Sequence, residues 1–280
     1  MNRLYQVAGH CFAVEGERLC PAVESMGGFD GFLVNEGHVL FSFVECAGRP
    51  EMEKTQYEFS YEDVNCVFGK TRFGHMLSLK PLEEESLDLW CNEGEDQVKI
   101  CGNMSLHLLR FAMWVGLGLK VVPYDTVAVH SSCIVYNGEA VLFLGESGTG
   151  KSTHTRLWRE NIEGAFLLND DSPVLRYEDG AVWAYGSPWS GKTPCYKQER
   201  YKLKACVRLS QSQANDISRL DILQSFGAIH PSCPPEFAYD DLLYDHVCSL
   251  IDKLLSSTPF YHLACRPDRE AALLAFRTIF

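Results

Sequence analysis

The stretch Val39-Leu40-Phe41-Ser42-Phe43-Val44 is almost wholly apolar and β-branched or aromatic, and it predicts a short strand. Phe73 to Leu79 follows with partial alternation. Leu87-Asp88-Leu89-Trp90 and Val98-Lys99-Ile100 predict two more strands, separated by the turn-like run Asn92-Glu93-Gly94-Glu95-Asp96. The period then changes. Leu106, Leu109, Met113 and Gly116 recur at helical spacing from Ser105 to about Leu119, with Ser105 as a candidate cap, and this reads as a helix joining two halves of the chain.

From Thr126 the pattern becomes α/β. Val127-Ala128-Val129-His130 and Cys133-Ile134-Val135-Tyr136 read as one strand ending at Asn137-Gly138, a strong hairpin signal. Ala140 to Leu144 is a fully apolar strand that runs into a glycine-rich loop, with a helix expected over Lys151 to Glu160. Ala165 to Leu168 is a second buried strand, ending on Asn169-Asp170-Asp171. Cys206 to Leu209 suggests a further strand. Asp241 to Ser256 places Leu243, Val247, Leu250, Ile251, Leu254 and Leu255 on one helical stripe. Phe260 to Cys265 reads as a late strand, and Asp268 as the cap of a final helix. The expected division is a β-rich N-terminal domain, 1–104, and an α/β domain, 105–280.

Composition narrows the function classes. The formal net charge is −12 and no Lys/Arg cluster is present, whereas a nucleic acid demands a basic field. Nucleic acid is therefore not an expected partner. The longest apolar run, Phe111 to Leu119, is nine residues, against roughly 20 for a bilayer span, so no membrane is expected either. The 12 cysteines are scattered, with no Cys-x-x-Cys pair, as apolar fillers in a reducing compartment are. Met1 to Glu15 has no apolar stretch of signal-peptide length, and a cytoplasmic location is expected.

The chemistry concentrates at Gly145-Glu146-Ser147-Gly148-Thr149-Gly150-Lys151-Ser152, which meets every required position of the phosphate-binding pattern G-x-x-x-x-G-K-[ST]. Glycines let backbone N–H groups approach phosphate oxygens without a Cβ in the way, and the helix that follows adds its unsatisfied amides. Lys151 is expected at the β- and γ-phosphates of a nucleoside triphosphate, Ser152 on Mg²⁺, and the next residue, Thr153, among the nucleotide contacts. Asp170 and Asp171 at a strand end suggest divided labour: one holds the metal, the other accepts the proton of an attacking hydroxyl. His130, ahead of the hairpin, is a candidate neighbour of the phosphates. The loop Gly186 to Pro194 carries Lys192, which with Arg200 is a candidate clamp on transferring oxygens.

Together, His130-Ser131, the strand, the G-x-S-G-x-G-K-S loop and two aspartates eighteen and nineteen residues past Ser152 resemble the HPr kinase/phosphorylase catalytic domain. That domain in turn resembles the nucleotide-binding part of ATP-dependent phosphoenolpyruvate carboxykinase, whose loop also reads S-G-T-G-K. The resemblance covers about Val127–Leu175. It implies a P-loop mixed sheet with flanking helices, ATP and Mg²⁺ as cofactors, a general-base role for Asp170 and a metal role for Asp171, with those two roles exchangeable. The glutamate-arginine-glycine signature of HPr kinase is absent; Gly186 to Lys192 stands in its place. The oxaloacetate-binding arginines of the carboxykinase are absent too. The function these residues predict is transfer of the γ-phosphoryl group to a hydroxyl of a small molecule or peptide. A nucleotide-gated binding protein and, further off, a carboxykinase-type reaction are the alternatives. The acceptor, the base preference and the oligomeric state are not encoded in any motif.

Overall fold

The computed structural model describes residues 2–61, 63–191 and 193–280. It is a mixed α/β structure with two large mixed sheets and flanking helices. Its contacts divide the chain into one unit of Met1–Val121 with Glu236–Tyr244, and a second of Val122–Pro235 with Asp245–Phe280.

The first unit opens with the hairpin β1 (Asn2–Val7) and β2 (His10–Glu15), followed by a short helix, α1 (Leu19–Ser25). The strands β3 (Leu33–Val34), β4 (Val39–Glu45), β5 (Lys54–Tyr61), β6 (Val64–Lys70), β7 (Gly74–Pro81), β8 (Leu87–Asn92) and β9 (Gln97–Gly102) complete a sheet. Its order is β3-β1-β2-β4-β9-β8-β7-β6-β5, with β4 parallel to both β2 and β9. Phe12, Phe41 and Phe43 are buried, Phe12 stacked on Phe41 and both meeting Phe43 edge to face, which explains the apolar run that predicted β4.

The joining helix, α2 (Leu106–Val121), belongs to this first unit rather than to the C-terminal domain. The reason is contact: a Cβ added at Gly116 would stand 2.7 Å from Phe43 and 2.9 Å from Leu89, so the helix lies hard against the sheet. The Ser105 hydroxyl does not cap it, since that buried oxygen has no hydrogen-bond partner among the described residues. With its 3₁₀ extension the helix runs 19 residues, Leu106–Tyr124, and by length and composition alone is long and apolar enough to cross a membrane. The nine-residue run understates it, because His107 and Arg110 interrupt the apolar pattern but not the helix. Of that window, 61% is buried, which is what a core helix spends its apolar side on.

The segment Glu236–Tyr244 packs within the first unit through Tyr239, stacked on Tyr57, and through a buried carboxylate. Asp240, 3% exposed, accepts from Lys70 Nζ at 2.8 Å, Gln56 Nε2 at 3.1 Å and the Leu243 amide at 3.2 Å, and lies 3.1 Å from His75 Nε2. Burial alone raises its pKa, but these neighbours outweigh that and hold the carboxyl well below the usual range. Asp240→Ala is expected to cost about 1–3 kcal/mol. The depressed pKa also means that the contribution is present above the ordinary carboxylate range, near pH 4, and is lost as pH falls through and below it. Urea melts of wild type and variant at pH 7 and pH 3 check both statements; the gap should narrow at the lower pH.

The second unit contains β10 (Thr126–Ala128), β11 (Ser132–Tyr136), β12 (Glu139–Leu144), α3 (Lys151–Asn161), β13 (Phe166–Asn169), β14 (Val174–Glu178) and β15 (Ala181–Tyr185). It continues with β16 (Arg200–Gln211), β17 (Asp216–Arg219), α4 (Ile222–Ile229), most of α5 (Asp241–Ser257), β18 (Phe260–Cys265) and α6 (Arg269–Ile279). The sheet order is β10-β14-β15-β16-β12-β11-β13, and β18 pairs parallel with the C-terminal half of β16. β12 and β16 are parallel and central, which is why β12 reads as an unbroken apolar run.

The predicted single strand from Val127 to Tyr136 is two strands: β10 pairs with β14, β11 with β12 and β13, and the chain bends at His130 between them. Asn137 and Gly138 have φ of 49° and 76°, as their hairpin requires. Behind the sheet, Trp158 of α3 is fully buried against Phe143 of β12 and Phe276 of α6.

Candidate functional site

β12 is buried from Ala140 to Leu144 and delivers the chain to Gly145 at the carboxyl end of the strand. Gly145, Gly148 and Gly150 have φ of 146°, 84° and 105°, a region that side chains rarely adopt, so the glycine spacing of the motif is a backbone requirement here. Gly150 is the N-cap of α3, with left-handed backbone. Thr149 braces the loop through its amide and hydroxyl, both donating to the Glu146 carbonyl. Ser147 and Ser152 are exposed and Thr153 is half-buried.

Lys151 is 8% exposed, and its ammonium is fully engaged. Nζ donates to the Gly145 carbonyl at 2.7 Å and the Glu146 carbonyl at 3.2 Å, and lies 3.0 Å from His130 Nε2. Burial lowers its pKa, opposed by Asp171 and Asp170. Partial burial, and then the Lys151 charge, likewise lower the pKa of His130, with Asp171 pulling the other way. The imidazole is thereby held neutral: Nε2 accepts from Lys151 while Nδ1 faces Asp171 Oδ1 at 3.5 Å. The bend that carries His130 is fixed on both sides, by its own amide on the Ser232 carbonyl and by the Ser131 amide on the Asp171 carbonyl.

The two acids lie in different surroundings. Cys133 pairs with Asn169 between β11 and β13, and the next residues along bring Ser132 Oγ to Asp170 Oδ1 at 2.8 Å. Asp170 is 4% exposed, and its other oxygen, Oδ2, is buried with no hydrogen-bond partner among the described residues. A carboxylate oxygen left so costs free energy unless something occupies it in use. Asp171 is more open and accepts from the Ser172 hydroxyl at 2.8 Å.

Asn169 organises this strand end, and no sequence motif singled it out. Its Oδ1 accepts the Asp171 and Ser172 amides at 2.9 and 2.8 Å, forming a tight side-chain-to-backbone turn. Its Nδ2 donates to the Ser187 and Trp189 carbonyls. Gly186–Gly191 is therefore a packed strap, with Ser187 and Trp189 buried, and not an open binding loop. A Cβ at Gly191 would meet the Asp170 carbonyl at 2.9 Å, so the strap presses directly on the acids.

Lys192 lies outside the described residues. Arg200 is not at this site: β12 and β16 run parallel with Glu139 opposite Lys202 and Leu144 opposite Arg208, which puts Arg200 at the far end of the sheet from the loop. There its guanidinium meets Glu178 and the Tyr185 hydroxyl.

Asp170, Asp171 and Ser152 carry hard oxygen donors, and among the described residues no group of three or more His, Cys, Asp or Glu side chains could hold a metal ion. Mg²⁺ is characteristically held by one or two carboxylates together with substrate phosphates. No protein-family model matches this chain, and no curated protein matches it.

Proposed function

We propose that the second unit is an ATP- and Mg²⁺-dependent kinase of the HPr kinase-like, carboxykinase-related P-loop kind, acting in the cytoplasm on a hydroxyl of a small molecule or peptide. The observation that carries this reading is Asp170 Oδ2, a buried carboxylate oxygen with no partner among the described residues, on a strand end next to Asp171, with both acids acting electrostatically on the loop lysine. A loop that only bound phosphate would need no such oxygen.

In this reading Lys151 leaves the Gly145 and Glu146 carbonyls for the β- and γ-phosphate oxygens, and the loop amides hold the phosphate chain. Ser152 and Asp171 are the groups that would hold Mg²⁺, which when bound would neutralise phosphate charge. Asp170 Oδ2 accepts the proton of the acceptor hydroxyl as its oxygen bonds to the γ-phosphorus. The bond from that phosphorus to the β–γ bridging oxygen breaks, and ADP leaves with the electron pair. Before nucleotide binds, neutral His130 lies between Lys151 and Asp171.

The test is transfer of label from γ-labelled MgATP to a panel of hydroxyl compounds and peptides, with binding measured alongside. Lys151→Ala removes charge-assisted hydrogen bonds to the phosphates and is expected to weaken ATP about 10- to 100-fold. Unchanged affinity in that variant would remove the loop from the mechanism. Binding with no labelled acceptor would leave a nucleotide-gated binding protein in place of the kinase.

A further inference from the structure

The connection from β4 to β5 crosses a face of the first sheet. β4 lies beside β9, and β5 is the edge strand beyond β6, so residues 46–53 pass over β9, β8, β7 and β6. Three contacts pin this strap along its way. The Cys46 amide donates to the Ile100 carbonyl of β9 at 2.8 Å, and the Glu53 amide to the Lys70 carbonyl of β6 at 2.9 Å. Between them the Arg49 guanidinium meets Asp88 Oδ2 of β8 at 2.7 Å. Cys46 and Met52 of the strap pack on a buried cluster of Met76, Trp90 and Cys101.

The strap begins at a facing pair of thiols. β4 and β9 run parallel from Ser42 opposite Gln97 to Glu45 opposite Ile100, and the Cys46 amide bond extends that register by one, placing Cys46 opposite Cys101. Alternation along the strands turns both side chains away from Phe43, Leu89 and Val98, which meet α2, and into the one sulfur-rich cluster. Neighbouring strands stand about 4.7–4.9 Å apart, inside the roughly 4.4–6.8 Å Cα separation that a disulfide bridges. Both thiols are free, with Cys101 only 7% exposed and Cys46 half-buried beside exposed Ala47 and Gly48, so an oxidant reaches Cys46 first. Cys133 and Cys206 share the other sheet, but Leu142 of β12 stands between them.

We propose that Cys46 and Cys101 are a reversible redox pair, oxidised by a hydroperoxide to a disulfide that locks the strap to β9. The Cys46 sulfur attacks one peroxide oxygen and the O–O bond breaks, leaving a sulfenic acid and one water. The Cys101 sulfur then attacks the sulfenic sulfur, the S–O bond breaks, and the hydroxyl leaves with the Cys101 proton as a second water. Two thiols thus lose two electrons and two protons, and the peroxide takes up both. Burial pushes the Cys46 thiol up, with Lys99 pulling the other way, so the reaction speeds up as pH rises. The pair lies in the first unit and is independent of the kinase reading.

The test treats the reduced full chain with equimolar hydrogen peroxide, digests it without reductant and maps the peptides by mass. The expected product joins the Cys46 and Cys101 peptides, and dithiothreitol separates them. While the bond is present the thermal midpoint is expected to rise by about 5 °C or more, because closing a loop of this length takes entropy from the unfolded chain. Cys101→Ser is expected to lose that rise and leave a Cys46 sulfenic acid that dimedone traps. Cys46→Ser, at the half-buried position, is expected to lose both the link and the rise, and serves if the buried serine prevents folding. Cys46 found free, over-oxidised or joined to another cysteine in the wild-type chain would overturn the proposal. A bond that leaves the melt unmoved would overturn the lock.

Discussion

Asp170→Asn is expected to lower the rate of phosphoryl transfer by about 10²- to 10⁴-fold, the range that a positioned general base contributes, with ATP affinity nearly unchanged. The substitution is isosteric, and its geometry is dictated by Ser132. That hydroxyl donates to Oδ1 at 2.8 Å, so the asparagine keeps its carbonyl there and turns its NH₂ to where Oδ2 stood. An acceptor becomes a donor at the one position that must receive a proton. The surrounding structure has no reason to move, because Ser132 keeps its bond and Oδ2 has no partner among the described residues to lose. Single-turnover rates and nucleotide affinity, measured on the same preparation, separate the two effects. A rate within 3-fold of wild type would mean that Asp170 is not the base, and the exchange of roles with Asp171 would be tested next.

Trp158→Ala is expected to destabilise the second unit by about 3–5 kcal/mol. Trp158 is fully buried, with ring contacts to Phe143, Phe276 and Phe280, and its indole N–H donates to His154 Nε2 at 3.1 Å. His154 is itself buried, and burial pushes its pKa down to about 4, so it accepts that bond as a neutral ring. Truncation would open a cavity and leave an imidazole nitrogen without its donor. The consequence reaches function, because α3 begins at Lys151 and Trp158 lies two turns along it. Denaturant melts should show the loss, and ATP affinity should fall with it even though Trp158 touches none of the loop. A melt shifted by less than 1 kcal/mol would mean that Phe276 and Phe280 collapse into the space.

The elements around the loop were legible because their signals are local. β12 is a buried run, Lys151–Asn161 is a helix whose cap is a glycine, and Asp268 caps α6 through the Ala271 amide as its position suggests. What stayed hidden has physical causes. The β1–β2 hairpin turns on Ala8 and Gly9, with φ of 50° and 77°, and an alanine in that region gives no turn signal. α4 carries a full capping box between Asp221 and Gln224, but Ile222 and Leu223, 75% and 80% exposed, invert the expected pattern of apolar burial. The position of α2 in the first unit depends on contacts with Phe43 and Leu89, which are remote in sequence. At the site, Gly145, Lys151, Asp170 and Asp171 could be picked out by motif and spacing. Asn169 could not, because its role is to hold Asp171, Ser187 and Trp189 at once, and only the folded chain brings those together.

The contact between Lys151 and His130 has a thermodynamic corollary. In the free loop the ammonium charge beside the ring is one of the two causes that keep His130 unprotonated. A triphosphate without Mg²⁺ would draw Lys151 away and bring its own negative charge, and both changes raise the ring's affinity for a proton, whereas Mg²⁺ held at Asp171 would oppose them. Metal-free nucleotide binding then takes up hydrogen ions in the pH interval between the free and bound pKa of His130, and metal-free ATP binds more tightly as pH falls across it. Binding enthalpies measured in buffers of different ionisation heat would reveal the uptake, and His130→Gln would abolish it. The loop would thus sense the acidity of its surroundings through a residue that touches neither the reacting phosphorus nor the acceptor.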